Sequence, residues 1–536
     1  MTHAARTDWR RHVRIWREKE ASPLPERSAK KARVVIVGTG PVGLAQAIDL
    51  GQRGHDVIVL GRFDFVAGGS KAICFSKRSL DILDRLGVGD KAVEKGVAWN
   101  IGKVFWKDRR EPIYQFDMLP VKNQKMPGFI NLQQYYLEDI LLDRISELPN
   151  IDLRWGHEVF EVDPGDQEVG IGVSCSAGEY RIDTEWLIAC DGNRSAVRDF
   201  LGLDFEGRVF EDNFLIADIR MKGERPPERW FWFDPPFNPG RSALMHRQPD
   251  DIWRLDFQLG WNIDREACAR PENVDPLIRA MLGQDIEYEP EWYSVYTFQC
   301  RRMARFVHGR VLFAGDSAHL VSPFGARGCN GGFADIDNLG WKLDLILQGN
   351  ARPSLLESYN YEAIVTADEN ILNSARSTDF LTPKSEVSAI FRDAVLELAS
   401  EASFARGFVN SGRLSNAISY TDGPLNTPDC EDWDWRGIPP GSPALDAPFG
   451  EDWLLQKLGN RFTLLTYGGS IAPDIGVPVI DVADAPQSRL VRERYDLSPG
   501  STYLVRPDQY IAARWKRPEA DGIAKAISKA KGVSLT

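Results

Sequence analysis

Three short stretches place glycines, and two of them also an acid, just after apolar runs, where α/β proteins hold nucleotides and other anions. The first is Gly38-Thr39-Gly40-Pro41-Val42-Gly43, a GxGxxG that follows Val34-Val35-Ile36-Val37. A helical pattern through Leu44, Ala47, Ile48 and Leu50 comes next, Gly54 closes it, and a second strand runs from Asp56 to Leu60. Within that frame of strand, glycine turn, helix and strand, the fingerprint predicts dinucleotide binding. Gly38 permits the turn, Gly40 lets a pyrophosphate reach the backbone, and Gly43 lets the helix pack close to the sheet; Pro41 belongs to the same turn. The second stretch is Asp191-Gly192-Asn193-Arg194-Ser195, which ends the apolar run Trp186–Cys190 and precedes Arg198. The third follows Val311–Ala314: Gly315-Asp316, a loop with Pro323, Gly325 and Gly328, and a helix beginning near Asn330. Phe333, Ile336, Leu339, Leu343 and Ile346 recur there at helical spacing, and Gly349 and Pro353 mark the end. An acid, a glycine-rich loop and the free N–H groups of a helix N-terminus suit an anionic or electron-rich ligand. An ordinary strand-to-helix turn would look the same in isolation.

The end of the second strand departs from the dinucleotide pattern. A Glu or Asp there would bind a ribose diol; this chain has Gly61-Arg62. An Arg at that point suits a 2′-phosphate, so NADP at this site is one reading. Asp64 supplying the carboxylate from the loop is another.

These stretches need elements to position them. Ser70–Leu86 reads as a helix with Leu80, Leu83 and Leu86 inward and Lys71 at its entrance. A second helix, Gln134–Ile145, turns Leu137, Ile140, Leu141 and Ile145 to one side. Residues 151–155, 159–163 and 169–175 read as strands. From about 206 to 300 the pattern alternates, with strands at Arg229–Phe233, Ser242–Gln248 and Ile252–Leu259 separated by turn-forming DPPFNPG and PDD. Trp253, Leu255, Phe257 and Leu259 face one way, and Arg254, Asp256 and Gln258 the other. That predicts an antiparallel sheet whose polar face is a candidate pocket wall, with His246 and Gln248 sharing a face. At the N-terminus Trp9, Val13 and Trp16 read either as a short docking helix or as part of a tail. Residues 354–415 read as helices and 416–450 as a loop-rich crossing. From Glu451 a small further domain has strands at Phe462–Tyr467, Val479–Val482 and Thr502–Asp508.

The chain of 536 residues is too long for one core. Its 43% hydrophobic and 26% charged residues are ordinary globular values. A net charge of -12 argues against nucleic acid as a partner. No apolar run reaches the roughly 18 residues of a membrane span, and the basic N-terminus lacks the apolar core of a secretory signal. The seven cysteines are scattered, with no CxxC and no metal-like spacing to the histidines. Reduced thiols, a cytoplasmic protein and no metal are expected.

Taken in order, the GxGxxG, Asp191-Gly192 and Gly315-Asp316 resemble the motifs of the single-component flavoprotein aromatic hydroxylases, the family of para-hydroxybenzoate and phenol hydroxylases. The resemblance covers residues 33–380 and the tail. It implies an α/β fold: a Rossmann-like FAD-binding domain, an inserted antiparallel-sheet substrate domain and a C-terminal thioredoxin-like domain. The divisions expected are an N-terminal extension over 1–32 and a discontinuous FAD-binding domain over 33–105, 126–205 and 300–380. A substrate-binding sheet domain takes 106–125 and 206–299, helices and a linker 381–449, and the thioredoxin-like domain 450–536. That last domain has no cysteine, so its role would be structural.

The resemblance further implies an NAD(P)H-dependent monooxygenase that hydroxylates a phenolic substrate through an FAD C4a-hydroperoxide. FAD would be resident, NADH or NADPH a transient co-substrate, and O2 the oxidant. Gly38, Gly40, Pro41 and Gly43 match the ADP-binding turn, and Arg62 is counted with it. Lys71 stands where the family has an Arg near the pyrophosphate, keeping the charge without the bidentate fork. Gln134, in Gln-x-x-Leu-Glu, matches a flavin contact. Asp191 matches the motif tied to FAD and nicotinamide, and Asp316 the ribityl acid. Pro323, Gly325, Arg327, Gly328, Cys329 and Asn330 match the loop along the isoalloxazine ring. The expected catalytic positions are Pro323 and His246, the latter steering the phenolic proton. Trp232, Gln248, Arg254 and Asp256 are pocket candidates, and Trp232 with the loop at Phe324 would exclude water. His319 reads as structural and Cys329 as packing. The expected partner is a small aromatic substrate, without nucleic acid or membrane, and a homodimer is left open. Two rival readings stand: a reductase or dehydrogenase of the same fold without oxygen transfer, and an NADP-binding regulatory protein without flavin.

Overall fold

The computed structural model describes residues 15–25, 32–69, 71–221, 225–322, 325–409, 416–429, 436–469 and 475–533. Trp9, Val13, Pro323 and Phe324 lie outside them. The continuous apolar runs form a six-stranded sheet in the order Ile151–Trp155, Val57–Gly61, Val34–Val37, Trp186–Ala189, Val311–Phe313, Val307–His308. The first five strands are parallel and the last is antiparallel. Such runs do not alternate because a parallel sheet is covered on both faces; Val34, Val35 and Ile36 are fully buried. Register sets Ala189 opposite both Val37 and Phe313. The three glycine-bearing stretches therefore emerge side by side at the carboxyl ends of neighbouring strands, where open α/β sheets bind ligands. The helix Pro41–Gln52 packs against Gly328–Leu347 and Gln134–Ser146.

An eight-stranded sheet forms the second layer. Its order is His319–Leu320, Glu289–Met303, Phe205–Arg220, Ile252–Gln258, Ser242–Arg247, Arg229–Phe233, Ile101–Trp106, Tyr114–Asp117. Trp253, Leu255 and Phe257 turn to one face, against Val274 and Ile278 of the helix Pro271–Leu282. The opposite face looks towards the strand ends of the first sheet. A four-stranded sheet, ordered Val479–Asp481, Thr463–Thr466, Thr502–Val505, Ile511–Trp515, and the helix Ala520–Ala530 form the C-terminal part.

Several expectations are corrected. Ser70–Leu86 is not one helix: Cys74–Ser76 is a strand paired with Phe129–Asn131, and the helix is Lys77–Arg85. The aromatic Phe75 at its centre suits a strand. Trp16 lies in a strand, Ile15–Glu18, that pairs with Phe65–Ala67, and its ring stacks on Tyr135 at 4.2 Å. The boundary at 105/106 cuts Ile101–Trp106, which belongs to the large sheet. That strand runs parallel to Arg229–Phe233, so the sheet is not wholly antiparallel.

Candidate active site

A single cavity of about 580 Å³ runs from the strand ends of the first sheet to the inward face of the second. At the strand-end side the backbone is tightly constrained. Gly38 has φ +120°, and a Cβ on it would lie 2.2 Å from the Cys190 carbonyl oxygen. A Cβ on Gly43 would lie 2.1 Å from the Gly38 carbonyl oxygen, so Gly43 packs the helix and does not itself line the cavity. Gly40 does line it, with no atom within 4 Å of where its Cβ would stand, at the N-terminus of Pro41–Gln52. That open backbone beside a helix start fits a pyrophosphate.

Asp191 and Asp316 both line the cavity. Asp191 Oδ2 accepts from the Val197 amide at 3.2 Å, while Oδ1 is buried without a partner. Burial raises the pKa of both carboxyls. An orphaned buried acceptor is costly unless a ligand satisfies it, which fits a hydroxyl-bearing cofactor. Lys71, Arg62 and Gln134 also line the wall. Gln134 accepts from the Ala72 amide at 3.2 Å and donates to Glu138 at 2.9 Å. Burial pushes the Glu138 carboxyl up to about 8.

The helix Gly328–Leu347 opens onto the cavity with Arg327, Gly328, Cys329 and Asn330. Asn330 ties that opening to Cys74–Ser76. Its Oδ1 accepts from the Ser76 amide at 3.0 Å and the Ser79 hydroxyl at 2.6 Å, and its Nδ2 donates to the Cys74 carbonyl at 2.9 Å. Gly325, at φ +91°, shapes the loop without lining the cavity. Burial pushes the Cys329 thiol up, so it is an unreactive thiol in this setting. His319 stays out of the cavity, 2.7 Å from the buried Asp335 carboxylate. Burial alone would lower the pKa of His319, but Asp335 overrides it and holds it up.

The sheet wall carries a polar row. Register sets Arg229 opposite His246, His246 opposite Arg254, and Arg254 opposite Asp218. Arg254 donates from two nitrogens to the Asp218 carboxylate, at 2.7 Å each, and Gln248 donates to the same carboxylate at 3.1 Å. His246 Nε2 stands 3.2 Å from Asp256 Oδ2 in ion-pair reach, without a formed hydrogen bond. Burial and the Arg229 charge bring His246 down to about 4, so its ring is neutral near pH 7. Arg229 is 4% exposed, bonds the Cys74 sulfur at 3.4 Å, and has no carboxylate in ion-pair reach among the described residues. Its Nε is buried and unpartnered.

The structure thus brings His246, Arg254 and Asp256 to one wall with Arg229, Tyr296, Ile216 and Leu244. Two expected wall residues are elsewhere. Trp232 sits on the opposite face, stacked on Phe105 at 5.1 Å, because alternation along Arg229–Phe233 turns Arg229 and Phe231 inward instead. Gln248 lies beyond the strand end and supports Asp218 without lining the cavity. Asp64 is also absent from the wall, while Thr39 and Glu158 are on it. Arg229 went unnoticed among four aromatics, although RWFWF alternation marks it as sharing a face with Phe231.

The family described as FAD binding domain matches residues 31–374. This chain belongs to the FAD-dependent aromatic hydroxylases. The 3-(3-hydroxy-phenyl)propionate/3-hydroxycinnamic acid hydroxylase of Escherichia coli O81 (strain ED1a) is 30% identical, over 90% of this chain and 91% of the relative. A second hydroxylase of that description, from Burkholderia vietnamiensis (strain G4 / LMG 22486), is 28% identical over 92% of this chain and 95% of its own. Among solved structures, the flavin-dependent monooxygenase PieE, in complex with FAD and substrate, superposes with a TM-score of 0.78 at 22% identity. It covers 94% of this chain and 99% of its own. Aklavinone-11 hydroxylase, with FAD and aklavinone, gives 0.75 at 20% identity over 95% and 100%. The reductase reading and the flavin-free reading are not favoured by this membership. FAD is the family's cofactor, and NAD(P)H and O2 are its general requirements. No helix among the described residues is long and apolar enough to cross a membrane, and no cluster among them could hold a metal.

Proposed function

We propose that this hydroxylase acts on a phenol bearing a carboxylate side chain, as the names of its curated relatives suggest. One observation carries the reading: a single cavity joins the strand-end cradle to the Arg229–His246–Arg254 row. Bound FAD, reduced by NADH or NADPH, supplies with O2 the oxygen chemistry that side chains lack. Gly38, Gly40 and Pro41 hold its pyrophosphate, and Asp191 and Asp316 accept from its hydroxyls. The start of Gly328–Leu347 favours negative charge on the reduced ring.

Arg229 takes the substrate carboxylate, since a buried cation without an acid is poised for an anionic ligand. The substrate carboxylate offsets the Arg229 charge that lowers the His246 pKa, so that the ring can draw the phenolic proton as oxygen transfer makes the phenol more acidic, and Asp256 steadies the imidazolium that forms. Arg254 is fixed by Asp218 and keeps the wall positive. Ile216, Leu244 and Phe214 exclude water from the reacting end. The division into FAD-binding, sheet and C-terminal domains is part of the same reading, with 450–536 as a thioredoxin-like unit of structural role. Its four-stranded sheet and flanking helix support that. Unpaired thiols at the six described cysteines support a reducing, cytoplasmic setting.

The test is titration of the FAD-loaded protein with 3-(3-hydroxyphenyl)propionate and with 3-ethylphenol, which lacks the carboxylate. The acidic phenol should perturb the flavin spectrum and accelerate NAD(P)H consumption at far lower concentration. Equal response to both phenols would remove the carboxylate assignment.

A further inference from the structure

We propose that the adenosine ribose of FAD is held by Thr39 and Glu158, in a site rebuilt around the carboxylate missing at Gly61. The strand Val57–Gly61 ends where dinucleotide folds carry a ribose-binding acid. A Cβ on Gly61 would lie 2.5 Å from Thr39 Cγ2 and 3.0 Å from Thr39 Oγ1. The backbone has little room to relieve that clash. Leu60 accepts from the Gly38 amide at 2.9 Å, and Gly61 accepts from the His157 amide at 2.9 Å. An acid at 61 would therefore push the Thr39 side chain out of the position it holds here.

Thr39 also supplies what took the acid's place. It is half-buried, lines the cavity, and its hydroxyl bonds none of the described residues. A single neutral hydroxyl does not replace the charged, two-oxygen acceptor that a carboxylate offers a ribose diol. The second acceptor must come from the neighbouring wall. Glu158 lines the cavity one residue beyond the His157 amide that grips Gly61. The His157 ring is held elsewhere, at 2.7 Å from the Tyr180 hydroxyl and 2.9 Å from the Ser22 carbonyl. The other cavity carboxylates belong to different places: Glu138 beside Gln134, Asp191 and Asp316 at other strand ends, and Asp256 on the large sheet. Asp64, the loop alternative, does not reach the cavity. A carboxylate at 158 also repels a 2′-phosphate, so this end selects the plain ribose of FAD over NADP despite Arg62.

The inference rests on FAD binding and not on hydroxylation. The experiment is FAD affinity of the apoprotein, read by quenching of flavin fluorescence, for Glu158→Gln, Gly61→Glu, Thr39→Gly and the double variant Thr39→Gly/Gly61→Glu. Glu158→Gln should weaken FAD by about tenfold or more, as loss of a charged hydrogen bond does. Gly61→Glu alone should weaken it further, and the double variant should recover most of the loss, because removing the threonine side chain reopens the space. In that double background Glu158→Gln should matter little. FAD binding by Gly61→Glu as tight as in the native chain, additive effects of the two substitutions, or an unchanged affinity in Glu158→Gln would each overturn the proposal. A native apoprotein that binds no FAD would instead overturn the cofactor assignment itself.

Discussion

At the scale of single residues, two buried groups carry the substrate chemistry, and each gives a separable prediction. Arg229 faces the cavity without an acid, so Arg229→Met should raise KM for a carboxylate-bearing phenol by roughly 10–100-fold, the loss of a charge-assisted hydrogen bond. Turnover of a neutral phenol should change little, which steady-state kinetics with the two substrates will read. His246→Ala should slow hydroxylation at neutral pH more than at high pH, where the phenol ionises unaided. An equal loss at both pH values would remove the proton-acceptor role. His246 also affects stability. Its ring titrates at about 4 in the folded chain and near 6.5 unfolded. The unfolded chain therefore binds more protons between those values. The stability contributed by the neutral ring is intact above about pH 6.5 and is lost as pH falls through 4, at most about 3 kcal/mol. Urea midpoints between pH 4.5 and 7 should fall less steeply in His246→Gln than in the native protein.

At the scale of elements, the strand ends were legible and the sheet wall only partly so. Val34–Val37, Trp186–Ala189 and Val311–Phe313 are continuous apolar runs followed by Gly or Asp, and local pattern alone predicts them. The wall depends on register between strands joined by long turns, which local pattern does not encode. Arg254 was readable because its strand, Ile252–Gln258, alternates cleanly between greasy and polar, and His246 because it sits in the adjoining strand Ser242–Arg247. Trp232 misled because Arg229–Phe233 is aromatic on both faces, so alternation could not say which side meets the cavity. The close approach of Gly61 to the Thr39 side chain involves two segments meeting in space and leaves no trace within either one. Asn330 yields the prediction at this scale. It stitches the opening of Gly328–Leu347 to Cys74–Ser76 with two buried bonds and to Ser79 of the helix Lys77–Arg85 with a third. Asn330→Ala orphans the Ser76 amide and the Cys74 carbonyl, at about 1–3 kcal/mol for each buried group. Thermal unfolding of the apoprotein should begin at a lower temperature and FAD should bind more weakly; an unchanged melting curve would contradict this tie.

At the scale of the whole molecule, the C-terminal part is locked to the flavin-side helix by a buried ionic cluster. Arg506 donates to Glu362 at 2.6 and 2.9 Å and to Asp508, and Lys342 donates to Glu362 at 2.7 Å, with all four residues nearly inaccessible. Burial opposes ionisation of Glu362, but Arg506 and Lys342 outweigh it and bring the carboxyl down to about 2. Trp341, on the helix Gly328–Leu347, donates to Asp508 at 3.0 Å. Arg506→Met would leave buried charge without its partner, at a cost of about 3–5 kcal/mol. Chemical denaturation should show that loss, with FAD release accompanying it because the same helix opens onto the cavity. All of this rests on the chain being an oxygen-inserting flavoenzyme. The most direct measurement is mass spectrometry of the product formed from 3-(3-hydroxyphenyl)propionate by the FAD-loaded protein with NAD(P)H under 18O2. The account predicts a hydroxylated product carrying one 18O atom, formed in step with NAD(P)H oxidation. NAD(P)H oxidised without label in any acidic phenol tested would contradict it.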